Sequence, residues 1–399
     1  MDTMNPFART LFAAVTLAAG PTMAADDIAA TLGRIALPPG FSIKLFALAP
    51  GARAMAVSPD GRAVIVGTLD TAVYRIALSG PGAGRAENFA QGVAFKAPNG
   101  PCFAPDGALF IAEFNRIRRF APQAGGWNEA HPSDVVPEGG LQPASETSPV
   151  HAARVCRFGP DGKLYVAIGQ PANVPTQERE KLNEKSGLGA IWRMNADGSG
   201  REIFARGVRN SVGLDFDPAD GVLWFTDNQA DRMGDDIPPG EINRAPKAGL
   251  HFGFPWFGGG HVRTREWAGD TPPPDVVFPD VEEVAHAADL GMIFYRGEKF
   301  PAQWRGIFSA QHGSWDRSIP VGARVMFTPV KNGKAGKSVP FAEGWNTGRL
   351  PYLGRPVDVA ETPDGDLLVS DDQNGAIYRI TYEGDGSARS PRLRGEGGG

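Results

Sequence analysis

A short hairpin recurs along this chain and restricts the fold more than any other feature. AVSPDGRAVIVG occupies 56–67, CFAPDGALFIAE 102–113, CRFGPDGKLYVAIG 156–169 and DVAETPDGDLLVSD 358–371, with a looser copy, LDFDPADGVLWFTD, at 214–227. Each reads as a strand, a tight turn and a second strand. Proline presets φ, aspartate bonds the backbone of its own turn, and glycine supplies a positive φ. The second strand alternates with period two, as in Lys163-Leu164-Tyr165-Val166. A further strand is expected over Ala72–Ile76, Asn115–Phe120, Ala190–Met194 and Ala376–Ile380.

The turn aspartates Asp60, Asp106, Asp161 and Asp220 recur roughly every 50 residues. The long gap to Asp364 holds a degenerate copy at Gly291–Pro329. Units of this length with about four strands cannot bury both faces alone, so they stack around an axis as blades. The expected fold is all-β, a six-bladed β-propeller with four-stranded antiparallel blades. With 52 glycines and 35 prolines among 399 residues, the chain is too rich in turns for long helices. Insertions at Gly125–Pro149, Pro171–Lys185, Gln229–Pro239 and Phe252–Ala288 are expected as long loops on one face, the binding face.

The ends read differently. Met1–Asn5 is polar, Arg9 is basic, and Leu11–Ala19 is a short apolar run followed by small residues. This is the pattern of a cleavable export signal over 1–25, with the propeller over 26–383 and a disordered Gly/Arg-rich tail over 384–399. A periplasmic or secreted location is the expectation. The formal net charge of −5 lacks the basic footprint of a nucleic-acid binder. Cys102 and Cys156 are the only cysteines. They sit at comparable places in successive repeats, four and five residues before the turn aspartate, which suits either a bridge between adjacent sheets or two buried thiols.

No phosphate-binding loop, dinucleotide glycine pattern, zincin motif or nucleophile elbow occurs. Polar residues cluster instead just before the repeated hairpins. His151 precedes the third, where an imidazole suits proton abstraction near neutral pH. Arg209-Asn210 holds that place in the fourth unit, Asn99 in the second and Arg355 in the last. The guanidinium groups and amides there suit an anionic, oxygen-rich ligand. The segment 226–243, with Asn228 and Gln229, is acidic and rich in carbonyl groups, which suits a hard cation. HGSWDRS at 312–318 offers His312 and Trp315 to a sugar or cofactor ring and Arg317 to a carboxylate.

PNGPCFAPDGALFIAEFNRI, the His151 hairpin, GVRNSVGLDF with LWFTDN and GDDIPPGEINR, HFGFPW, QHGSWDRSIPVG and GRPVDVAETPDGDLLVSDDQNGAIYRITY lie in one order. Together they resemble the glucose/sorbosone dehydrogenase family of six-bladed propellers, more the sorbosone branch than the soluble glucose branch. The resemblance runs from about Leu37 to Tyr382. It implies a dehydrogenase that oxidises an aldose or sugar aldehyde, with pyrroloquinoline quinone and Ca2+ as cofactors. The electron acceptor would lie outside the cytoplasm, a small c-type cytochrome being one candidate.

The resemblance also implies roles. His151 matches the general base, and Arg209 with Asn210 matches the pair that contacts the quinone. Arg355 matches an arginine that pairs with its carboxylates. Asn99 falls where glucose-oxidising relatives place an active-site glutamine. Asn228 and Gln229 fall in the region that supplies carbonyl ligands to calcium. The chain departs from the family in Val150, where an aspartate stands in the glucose branch, and in Asp227-Asn-Gln-Ala-Asp231, which lacks the usual Gly-Arg. Arg355-Pro-Val-Asp358 lacks a second arginine, which Arg317 is expected to replace. A calcium-dependent lactonase-type propeller and a non-catalytic ligand-binding propeller are the alternatives.

Overall fold

In a computed structural model that describes residues 25–384, the hairpins close into a six-bladed β-propeller. Blade 1 comprises Met55–Val57, Ala63–Val66, Tyr74–Ala77 and Ala86–Asn88, in order from the axis outward. Blade 2 comprises Gly100–Phe103, Leu109–Glu113, Arg116–Phe120 and Ser133–Val136. Blade 3 comprises Val155–Phe158, Leu164–Ile168, Ala190–Met194 and Glu202–Arg206. Blade 4 comprises Leu214–Phe216, Leu223–Asp227, Gly240–Ala245 and Val281–Glu283. Blade 5 comprises Asp289–Phe294, Gly306–Gln311, Arg324–Lys331 and Val339–Glu343. The export segment expected over 1–25 lies, apart from Ala25, outside the described residues, as does the expected tail beyond Gly384.

The last blade joins the two ends of the described chain. Pro356–Glu361, Leu367–Asp371 and Ala376–Tyr382 supply three strands, and Phe41–Leu48 pairs antiparallel with the last of them as its fourth. Phe41 packs its ring against Phe300, Phe341 and Tyr382 at centroid distances of 4.7, 5.0 and 4.9 Å. Each such ring taken out of water contributes on the order of 1.5–3 kcal/mol, so an apolar cluster locks the circle closed. The helix Ala25–Leu32 adds Ile28, fully buried, to the same cluster.

Two expected insertions contain regular structure. Gly125–Pro149 includes Ser133–Val136, the outer strand of blade 2, and Phe252–Ala288 includes Val281–Glu283, the outer strand of blade 4. Both are three or four residues long and exposed on one side, too short to show a period in sequence. Pro171–Lys185 holds most of a helix, Gln177–Ser186. Thr176 caps its first turn by accepting from Arg179 N, and Gly187 ends it at φ 69°.

Cys102 and Cys156 form a disulfide between the innermost strands of blades 2 and 3, with Cα atoms 5.7 Å apart. It staples neighbouring sheets across 54 residues of chain. Replacing both cysteines by alanine is expected to lower stability by about 2–4 kcal/mol. Urea unfolding of this double variant, set beside the wild type with and without reductant, checks this; equal midpoints would refute it.

Candidate active site

The PDG turns join the first and second strands at one end of the wheel, so the residues before each first strand gather at the other end. There His151, Arg209, Asn210, Asn228, Gln229, His312, Trp315 and Arg355 line one cavity of about 200 Å³. Asp231 and His286 line it too, from positions that sequence reasoning did not single out. Larger cavities occur elsewhere, including one of about 450 Å³ at the PDG end, but this one collects the imidazoles and guanidinium groups.

His151 has φ 54°, a left-handed backbone that turns its ring into the cavity mouth. Its Nδ1 lies 2.6 Å from the carbonyl oxygen of Gln170. A carbonyl only accepts, so Nδ1 carries the proton and Nε2 keeps its lone pair. Burial, then the positive charge of Arg209, push the imidazole pKa down to about 3, against the opposing pull of the Gln170 carbonyl. The ring is therefore neutral at physiological pH.

Gln170 is itself held by the inserted helix. Its Nε2 donates to Glu180 Oε2 at 3.0 Å, and its Oε1 accepts from Asn183 Nδ2 at 2.7 Å. Burial raises the Glu180 carboxyl to about 7. Gly169 matters for a steric reason: a Cβ there would lie 2.7 Å from His151 Cβ and 2.9 Å from Asn210 Oδ1. The bare backbone at Gly169 lets the two side chains approach.

Arg209 is buried and heavily committed. Its Nε and Nη2 donate to the carbonyl and side-chain oxygens of Asn173 at 3.0 and 2.8 Å. Nη1 donates to the Asn228 carbonyl at 3.1 Å, and Nη2 to Asp231 at 2.9 Å. Its backbone N–H and that of Asn210 donate to Asp227 at 2.7 and 2.6 Å. Asn210 Oδ1, by contrast, is buried with no partner among the described residues.

Arg355 stands on the opposite wall, where Nε and Nη2 donate to the carbonyls of His312 and Gly313 at 3.1 and 3.0 Å. His312 Nε2 bonds Asp372 Oδ1 at 2.8 Å, and Arg53 grips the same aspartate from blade 1. Burial, only partly offset by Asp372, lowers the His312 imidazole to about 4. His312, Arg53 and Arg355 hold the Asp372 carboxyl well below its usual range, outweighing burial.

Two sequence candidates stand apart from the cavity. Asn99 is buried between blades, accepting from Arg53 Nε at 3.3 Å and donating to the Arg154 carbonyl at 2.9 Å. Arg317 donates to Asp236 Oδ1 at 3.2 Å and to the carbonyls of Asp235 and Ile319, so it ties down the 229–239 loop. The Asn228 amide is likewise spent on the carbonyls of Asn210 and Asp289.

A set of metal-ligating groups adjoins Gln229. Asp231, His286 and Asp316 bring ligand atoms within 4.8 Å of one another at the cavity wall. His286 Nε2 donates to the carbonyl of Gly234 at 2.7 Å, which leaves Nδ1 as the lone-pair nitrogen. Two carboxylates are the donors a hard cation takes.

Residues 141–379 match the family described as glucose/sorbosone dehydrogenase. An uncharacterized protein of Borreliella burgdorferi is 36% identical over 241 residues, which cover 59% of this chain and 62% of that protein. The chain thus spans little more than three-fifths of this curated relative. Among solved structures, the calcium structure of a Trichoderma reesei enzyme of carbohydrate-active family AA12 superposes with a TM-score of 0.73. It is 20% identical, covering 88% of this chain and 97% of that one. The holo form of the pyranose dehydrogenase PQQ domain from Coprinopsis cinerea gives 0.67 at 18% identity, with 87% and 97% coverage.

Proposed function

Because the chain belongs to the glucose/sorbosone dehydrogenase family, we propose that it oxidises an aldose or hydrated sugar aldehyde with pyrroloquinoline quinone and Ca2+ as cofactors. The observation that carries this reading is the neutral His151, with Nε2 unprotonated, in one cavity with Arg209 and Arg355. The donor set fits the cofactor. A flat polycarboxylate calls for guanidinium groups on the walls, its cation calls for oxygens such as those of Asp231 and Asp316, and the unpartnered Asn210 Oδ1 calls for a donor from a ligand.

When bound, the quinone supplies the hydride acceptor and Ca2+ the Lewis acid that polarises it. The chain's own residues do the rest. His151 Nε2 takes the proton of the sugar hydroxyl, while Gln170 fixes its tautomer through Nδ1. Arg209 sets a positive charge beside the reacting atoms, held in place by Asn173 and Asp231. Arg355 meets a carboxylate, and Trp315, largely exposed at the rim, gives the sugar a flat face. This reading includes export from the cytoplasm and an external electron acceptor such as a c-type cytochrome.

The test is direct. Purified protein is incubated with pyrroloquinoline quinone and Ca2+, then assayed for cofactor absorbance and for dye reduction with a panel of aldoses and sugar aldehydes. Saturable quinone binding with sugar-dependent reduction is the expected result. Lactone hydrolysis without quinone, or no binding at all, would sink the reading. Fractionation of the native cells checks export.

A further inference from the structure

Behind the cavity wall, three acceptor oxygens are buried without a donor among the described residues: Asp289 Oδ2, Glu283 Oε1 and Gln229 Oε1. Asp289 is fully buried, and Glu283 and Gln229 are each 6% exposed. Gly240 marks where they converge. Glu283 is its cross-strand partner, and a Cβ on Gly240 would lie 2.0 Å from Asp289 Oδ2 and 3.5 Å from Gln229 Oε1.

The outer oxygens of the two carboxylates are satisfied by one amide. Gln311 Nε2 donates to Asp289 Oδ1 at 2.9 Å and to Glu283 Oε2 at 3.2 Å. Arg324 Nε donates to Gln311 Oε1 at 2.7 Å, which fixes the direction of that amide. The Ser338 hydroxyl also bonds the Glu283 carboxylate. Gln229 turns its own amide nitrogen away, toward His286 Nδ1 at 3.4 Å.

The inner side of this cluster therefore presents only acceptors, two of them carboxylates. A single buried water has two protons to give and cannot meet three acceptors, and the nearby Arg324 guanidinium sets one positive charge against two carboxylates. A proton shared by the carboxylates does nothing for Gln229, whose amide oxygen needs a donor or a cation. From this geometry we infer that Asp289, Glu283 and Gln229 hold a buried divalent cation, with Ca2+ the fitting ion for an all-oxygen set of this charge. Its place is behind the wall, apart from the calcium proposed with the quinone, and its binding does not depend on that cofactor.

The test uses the full protein prepared without quinone, equilibrated with Ca2+, passed through gel filtration and analysed by atomic emission. The wild type is expected to retain one ion per chain and Asp289→Asn none. EDTA is expected to lower the wild-type Tm by roughly 5 °C or more and to leave that of Asp289→Asn unchanged. Asp231→Asn is expected to keep the buried ion. Glu283→Gln replaces Asp289→Asn if the latter fails to fold, and a Tb3+ anomalous peak between Asp289 and Gln229 in crystals locates the ion independently of both. Retention by Asp289→Asn, or a wild type that holds no ion and ignores EDTA, overturns the proposal. Failure of quinone to bind would sink the proposed dehydrogenase reading and leave this result standing.

Discussion

His151→Asn should lower turnover by about 100- to 10,000-fold, the usual contribution of a positioned general base, while quinone affinity stays near that of the wild type. Asparagine is the instructive replacement. It tolerates the left-handed backbone at φ 54° and can still donate to the Gln170 carbonyl, yet offers nothing where Nε2 stood. Quinone titration by absorbance, followed by turnover with the best sugar, separates the two effects. Unchanged turnover would remove His151 as the base.

The same histidine makes a prediction in pH. Its folded pKa is lowered to about 3, so the base stays unprotonated and the acid limb of the rate profile should not come from His151 above about pH 5. For stability the sign follows from linkage. Between the ordinary histidine pKa near 6.5 and the folded value, the unfolded chain binds the extra proton, so the neutral ring loses stability as pH falls through that window. His151→Asn lacks this contribution and should lose less stability than the wild type between pH 7 and pH 5.

Arg209→Met is expected to cost about 3 kcal/mol of stability and to abolish quinone binding. Removing one partner of a buried ion pair leaves the other charge uncompensated, and here Asp231 and Asp227 both depend on this guanidinium. Asn173 would also lose the donors that hold it to the wall. Arg209→Lys restores charge without the planar fork, so it should recover part of the stability and little of the binding. Urea denaturation of the quinone-free variants measures the first effect, and quinone titration the second. Wild-type midpoints and affinity for Arg209→Met would contradict both its structural role and its placement beside the cofactor.

The repeated Pro-Asp-Gly hairpin carried the architecture in the sequence itself, because turn chemistry and two-residue alternation are local properties of the chain. His151, Arg209, Asn210 and Arg355 were legible as site candidates for the same reason. Each precedes a recognisable first strand, and the common topology of the blades sends these four positions to one mouth.

Other features are written across distance. The pairing of Phe41–Leu48 with Ala376–Tyr382 depends on the circle closing, which no local pattern announces. Gln170, Asp231 and His286 act through partners that lie 19 to 58 residues away in sequence. Arg317, expected at the cavity as a second guanidinium, found the Asp235–Asp236 loop instead, and Asn99 was absorbed into the contacts between blades. The hairpins and their turns were determined by the chain alone. Only packing decided which of several possible partners each polar side chain took, because a buried donor or acceptor must bond whatever the tertiary fold places within reach.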